Sequence, residues 1–137
     1  MKKVLSILSI ILAFSLVIVS CEKEEDEGLL PSISFKTGGS YTSASKTVGV
    51  NETLVVGVNA AKSEDEDVLK KLTAKVNYDG GVDSILYTQD LSGNDANNFA
   101  YDQPIVTRGH SGTEKYTFTV VNRDGLVNSV ELTLTVQ

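Results

Sequence analysis

Disulfides are ruled out by arithmetic, because Cys21 is the only cysteine in the chain. A domain built from this sequence must therefore hold by packing alone, without the covalent staples common in exported proteins. Tryptophan is absent, and proline occurs only at positions 31 and 104. His110 is the single histidine. One histidine and no cysteine beyond Cys21 leave a zinc or redox-metal site without its usual ligands. No glycine-rich loop stands between a strand and a helix, so the usual phosphate cradle is missing. Basic charge is scarce too: 12 Lys and Arg face 18 Asp and Glu, a net charge of −6. That balance argues against nucleic acid as a partner, which selects basic surfaces. The one extended apolar stretch, residues 4–19, is interrupted by Ser6, Ser9 and Ser15. It falls short of the roughly 20 residues that a spanning helix needs.

What is present at the start is ordered. Met1-Lys2-Lys3 precedes the apolar stretch, and Ser20-Cys21 follows it. This is the three-part layout of a secretory signal. The cysteine directly after a small residue resembles the lipobox of bacterial lipoproteins. The resemblance implies removal of residues 1–20 and lipidation of Cys21, with outer-membrane lipid as its partner. It also implies several acyl chains, which hold stably where a single chain binds only marginally. Residues 21–30 then read as an acidic tether. In the run Glu22, Lys23, Glu24, Glu25, Asp26 and Glu27 the five acids repel one another, and nothing apolar is there to collapse on. A lysine followed by acids just after such a cysteine resembles the export signal of surface lipoproteins in gut-type Gram-negative bacteria. It implies an outer-membrane protein facing the cell exterior, with a periplasm-facing lipoprotein as the second choice. Loss of residues 1–20 removes two lysines and no acid, which takes the net charge from −6 to −8.

Residues 31–137 are of a size for one domain with its own core. Their clearest pattern is at the end. Tyr116, Phe118 and Val120 alternate with Thr117, Thr119 and Val121; later Val130, Leu132, Leu134 and Val136 alternate with Glu131, Thr133 and Thr135. Period-two alternation turns one set to the core and the other to water. Asp124-Gly125 between them supplies the turn of a hairpin. Similar, shorter runs cover Ser32 to Phe35, Val48 and Val50, Leu54 to Val58, Leu72 to Tyr78, Val82 to Thr88, and Phe99 to Val106. Asp79-Gly80-Gly81 turns the chain between two of them, and Ile85 and Tyr87 are expected to share one face. Pro31 suits a first edge strand, and Pro104 places its run at an edge. Between positions 62 and 72 acids precede bases. Ser63 and Glu66 stand at capping-box spacing, so a short helix or a closing loop is expected there.

About seven to eight short strands with frequent turns predict an all-β, antiparallel β-sandwich. The stretch from Gly112 to Gly125, followed by Ser129 to Val136, is similar to the closing hairpin of bacterial immunoglobulin-like and cadherin-like domains. The resemblance implies an immunoglobulin-like sandwich without the Cys-Trp-Cys core of antibody domains, and it brings no catalytic residues.

Candidate chemistry is sparse. His110 beside Ser111 reads as a loop residue, since adjacency does not assemble a nucleophile with its base. Calcium takes six to eight oxygens. Asp65 and Asp67, flanked by Glu64 and Glu66, and Asp95 and Asp102, near Asn97 and Asn98, are its weak candidates. Tyr41, Tyr87, Phe99 and Tyr101 sit near loops and are candidates for stacking against a sugar ring. The sequence therefore predicts a chain that is not an enzyme and needs no cofactor. It reads as a lipid-anchored interaction, adhesion or accessory module of an outer-membrane complex, with an unidentified protein or glycan as partner. The alternative is a glycan-binding accessory lipoprotein of a polysaccharide-uptake system.

Overall fold

The computed structural model describes residues 28–137. The signal-like stretch, Cys21 and the acids from Glu22 to Glu27 lie outside the described residues.

The described chain is all β, with eight strands in two sheets. These are β1 (Ser32–Phe35), β2 (Lys46–Val48), β3 (Thr53–Ala61), β4 (Leu69–Tyr78), β5 (Asp83–Asp90), β6 (Asn98–Val106), β7 (Gly112–Asn122) and β8 (Val127–Val136). One sheet has the order β1-β3-β6; the other has the order β2-β8-β7-β4-β5. All pairings are antiparallel except β2 with β8. This is the β-sandwich that the alternation predicts, of the immunoglobulin-like kind that the resemblance implies.

The core lies between the sheets. Val56, Val58 and Ala60 of β3 face Leu72, Ala74 and Val76 of β4, Phe118 and Val120 of β7, and Leu132 and Leu134 of β8. Each set comes from alternate positions of its strand, the period that sends neighbours to opposite faces. Two aromatic contacts cross between the sheets. Phe35 meets Phe118 edge-on, with ring centres 6.1 Å apart. Tyr87 stacks on Tyr101 at 4.0 Å and 13°. The second pair closes the seam between β5 and β6, each the free edge of its sheet.

All four edges are blunted against pairing with other chains. β1 and β2 are only 4 and 3 residues long. β6 carries Pro104, tolerated where a strand has one partner only. β5 carries a bulge opposite Ala74 and Lys75.

That bulge corrects one expectation. Tyr87 lies opposite Ala74 and faces the core, but Ile85 lies opposite Lys75 and faces outward. The extra residue, Leu86, switches the side on which β5 side chains emerge. The acidic segment before β4 forms turns and no helix. The Ser63 hydroxyl donates to the Leu30 carbonyl rather than capping, and the Asp67 carboxyl accepts the N–H of Val68. Such local side-chain bonds give the backbone an alternative to a helix. Val50 falls in the turn between β2 and β3 and is exposed.

The two ends of the sandwich are distinct. Gly28 to Pro31 lies at the end formed by the β3–β4 loop and the β7–β8 turn. The Leu29 N–H donates to Glu64 at 2.9 Å, and Asn128 donates to the Pro31 carbonyl at 2.8 Å. The opposite end carries the β2–β3, β4–β5 and β6–β7 connections.

Candidate functional site

Three polar clusters stand out, one on a face and one at each end. The first sits on the outer face of β1-β3-β6. After β1 the chain loops out through Gly38 and Gly39, both at positive φ, and returns at Tyr41. The Lys36 N–H donates to the Gly57 carbonyl, and the Thr42 N–H donates to Val55, each at 2.8 Å. This brings Lys36 and Tyr41 over Gly57, across from Asp102 of β6. The Lys36 ammonium donates to Asp102 Oδ1 at 2.6 Å, and the Tyr41 hydroxyl donates to Asp102 Oδ2 at 3.0 Å. The same ammonium lies 5.4 Å from the centre of the Tyr41 ring. A Cβ at position 57 would come within 2.7 Å of all three side chains, so glycine is what admits the cluster. Its bond to Asp102 raises the Lys36 pKa, and the reciprocal bond lowers that of Asp102.

The second cluster is at the end remote from Gly28. Arg108, in the β6–β7 loop, clamps Asp79 with two bonds, at 2.6 and 3.1 Å. It also reaches the buried Glu114 of β7, through Nε at 3.2 Å and its backbone N–H at 2.9 Å. The Tyr116 hydroxyl donates to the other Glu114 oxygen at 2.7 Å. Asp79 opens a turn in which it and Gly80 both have positive φ. It accepts the Thr113 N–H at 2.7 Å as well. The Arg108 guanidinium, then the Thr113 N–H, hold the Asp79 carboxyl well below the usual carboxylate range. Burial, then the bond to Glu114, pushes the Tyr116 hydroxyl far above its ordinary value. Every member is satisfied by another, so the cluster reads as a lock on the β4–β5 and β6–β7 loops.

The third cluster lines a cleft of about 590 Å³ beside Gly28, bounded by Glu64, Asp65, Glu66, Asp67, Arg123 and Asp124. Asp67 is buried and engaged: Asn122 donates to one oxygen and the Val68 N–H to the other, both at 2.7 Å. Asn122 in turn accepts the N–H groups of Asp124 and Leu126.

The structure separates the residues that the sequence grouped. Of the calcium candidates, Asp65 and Asp67 line this cleft. Asp95 sits in the short 3-10 turn Gly93–Ala96 before β6, and Asp102 is bound to Lys36. Among the described residues no three of His, Cys, Asp and Glu gather in a way that could hold a metal ion. Of the sugar-stacking candidates, Tyr87 and Tyr101 lie face to face, and both pack with Phe99 against the core. Burial, then the neighbouring Tyr87, raises the Tyr101 pKa. Tyr41 stands apart on the outer face. Sequence reasoning missed Lys36, Gly57, Arg108 and Glu114. Only Glu114 left a trace, as an acid at an inward position of the β7 alternation.

The fold and these clusters define an immunoglobulin-like sandwich with polar fasteners at its ends and on one face. No protein-family model matches the chain, and no curated protein sequence does. Among solved structures it is similar to a superoxide reductase (neelaredoxin) from Ignicoccus hospitalis, with a TM-score of 0.53 at 8% identity over 80% of this chain and 81% of that one. A point variant of that same reductase gives 0.52 at 11% identity, over 79% and 80% of the two chains. A CARDB domain from Pyrococcus furiosus, at 15% identity over 77% and 96%, has a TM-score of 0.44, too low to add to the argument. At such identities the likeness carries the fold alone.

It nevertheless corrects one expectation. The sequence predicts a chain that is not an enzyme, because candidate chemistry is sparse and the resemblance brings no catalytic residues. An enzyme is built on the same fold over four-fifths of both chains, so the architecture does not exclude catalysis. The reductase's chemistry does not transfer with the fold.

Proposed function

We propose that this chain is a lipid-anchored binding module displayed at the bacterial cell surface. In this reading Cys21 carries the lipid and the acids from Glu22 to Glu27 direct export and act as spacer. The sandwich is held clear of the bilayer, and its far end meets a partner. The observation that supports it most is polarity along the strands. The chain enters the sandwich at one end, where the Leu29 N–H is held by Glu64. The loops locked by Arg108 lie at the other, free to face a partner.

The test is protease accessibility on intact cells, native against Lys23, Glu24 and Glu25 all changed to Ala, with palmitate labelling of Cys21→Ser as the lipid control. Removal of the native domain and protection of the triple variant supports the reading. Protection of both places the domain in the periplasm, and unchanged labelling of Cys21→Ser removes the anchor from the proposal.

A second reading, a glycan-binding accessory lipoprotein, rests on Tyr41. Its ring sits on an outer face beside a carboxylate and an ammonium, the mixture of ring and polar groups that holds sugars. A glycan array with native protein and Tyr41→Ala decides it: specific binding lost in the variant supports this reading, and a blank array ends it.

A further inference from the structure

Residues 28–137 contain no cysteine, methionine or tryptophan. Cysteine and methionine ordinarily take up oxidation first. Without them, and without an indole ring, an electron drawn from this sandwich comes from one of its five tyrosines. The five are not equivalent. Tyr116 is sealed from water at 3% exposure. Tyr41 and Tyr78 each have a cation over the ring, Lys36 at 5.4 Å and Arg108 at 4.7 Å, and positive charge against a ring face holds its electrons. Tyr87 and Tyr101 are half-buried at the seam between the sheets and lie against each other instead.

The geometry of this pair suits coupling. A bond between two ring carbons forms along their p orbitals, perpendicular to the ring planes. Rings 4.0 Å apart and tilted by 13° point those orbitals at one another, as the edge-on rings of Phe35 and Phe118 do not. The spacing is tighter than the roughly 4.5–7 Å that aromatic pairs usually keep. Each hydroxyl also has an acceptor two residues on along its own strand. Tyr101 donates to Gln103 Oε1 at 2.8 Å, and Tyr87 donates to Gln89 Oε1. A phenol bonded in this way parts with an electron more readily, because its proton can shift toward the acceptor as charge develops. Held face to face, two phenoxyl radicals meet within one chain rather than between chains.

We propose that Tyr87 and Tyr101 form an oxidative cross-linking site, at which peroxide acting through a haem peroxidase joins the two rings by a carbon–carbon bond. Each phenol gives the oxidant one electron and its hydroxyl proton. The two radicals pair to form a bond between ring carbons ortho to the hydroxyls, and each of those carbons then passes its hydrogen to the oxygen as a proton. One peroxide takes both electrons and both protons and leaves as two waters. The product ties β5 to β6, free edges of different sheets that do not pair with each other. It supplies a covalent staple to a domain that has no disulfide. The proposal goes beyond the binding-module reading and does not rest on it.

The test oxidises the purified full chain with hydrogen peroxide and a haem peroxidase, then measures biphenol fluorescence and maps the bond by mass spectrometry. Cleavage before aspartates parts the two rings, because Asp90 and Asp95 lie between them. The expected product is a monomer in which the peptide carrying Tyr87 is joined to the one carrying Tyr101, lighter than their sum by two hydrogens. Its melting midpoint should rise by about 5 °C or more. Tyr87→Phe and Tyr101→Phe keep the ring and lose the hydroxyl. Each should form less biphenol by roughly tenfold or more, while Tyr78→Phe should match the native chain. Circular dichroism shows whether each variant is folded before oxidation. Tyrosine bonds that join separate chains, a bond mapped to another tyrosine, fluorescence that survives in both variants, or no cross-link at all overturns the proposal. So does a cross-linked monomer that melts where the untreated chain does, since the bond would then staple nothing.

Discussion

Asp67 at one end of the sandwich and Glu114 at the other are both sealed from water, at 2% and 0% exposure, yet their partners differ in kind. Glu114 is held by a cation, Arg108, and by the Tyr116 hydroxyl. Asp67 is held by neutral donors only, the Asn122 amide and the Val68 N–H. The difference follows from what each end must fasten. Near Gly28 the job is to join the β3–β4 loop to the β7–β8 turn, and Asn122 does so through backbone bonds of its own. At the far end two loops without regular pairing must be brought together. A guanidinium, with several donors in a fixed fork, can reach both at once. One end is thus closed by a dipole relay and the other by ion pairing.

Substitutions separate the two ends from each other and from the core between them. The largest effect should come from the core. Phe118→Ala removes a ring packed edge-on against Phe35 and should cost about 3–5 kcal/mol. Leu132→Asp, which buries an unpaired charge, should leave no cooperative melting transition. A native-like melt for Leu132→Asp would mean that the facing of β8 is misassigned. Glu114→Ala leaves Tyr116 without its acceptor and Arg108 with one partner fewer. It should cost roughly 3 kcal/mol or more by urea denaturation, against about 1–3 kcal/mol for Asp67→Ala, whose partners are neutral. The double variant should show the sum, because the sites share no partner. An equal cost for the two would dissolve the distinction between the ends.

Gly57→Ala should be milder, about 1–3 kcal/mol by thermal melting, because the new Cβ displaces the Lys36–Tyr41–Asp102 cluster rather than the core. The smallest effect concerns pH. Asp79 has a folded pKa below its unfolded value of about 3.9. Its contribution to stability is therefore complete above that value and is lost as pH falls through the folded pKa. Asp79→Asn keeps a residue that tolerates positive φ. It should be less stable than the native chain at neutral pH by an amount that shrinks as pH falls below about 4. A gap that stays constant to a pH of about 2 would show that the charge of Asp79 is irrelevant.

The sandwich was legible in the sequence because its strands alternate cleanly. Val56, Val58, Phe118, Leu132 and Leu134 face inward as their spacing requires. The hairpin of β7 and β8 turns at Gly125, where φ is +81°. What alternation cannot reveal is a register shift. The bulge in β5 is set by how that strand meets β4, and it reversed the facing of Ile85. Of the short helix or closing loop expected before β4, the loop is what forms, for a related reason. Ser63 and Asp67 spend their side chains on Leu30, Val68 and Asn122, and two of these partners are remote in sequence. The polar clusters were illegible for the same cause. Lys36 and Asp102 are 66 positions apart, and Asp79 and Arg108 are 29 apart. Only the fold brings them together.

The passage of the N-terminal segment from one sheet to the other has a mechanical consequence. β1 runs away from the end where Gly28 lies and is paired along its length with β3. β2 then continues on the second sheet, alongside the C-terminal strand β8. A pull on Gly28 against a load at the far end runs along the strand axis. It strains the β1–β3 hydrogen bonds together in shear rather than opening them one by one like a zipper. Should β1 yield, the Lys36–Asp102 clasp and then the β2–β8 pairing must fail in turn before the chain extends further. The sandwich is thus built to resist traction applied through its own N-terminal lead.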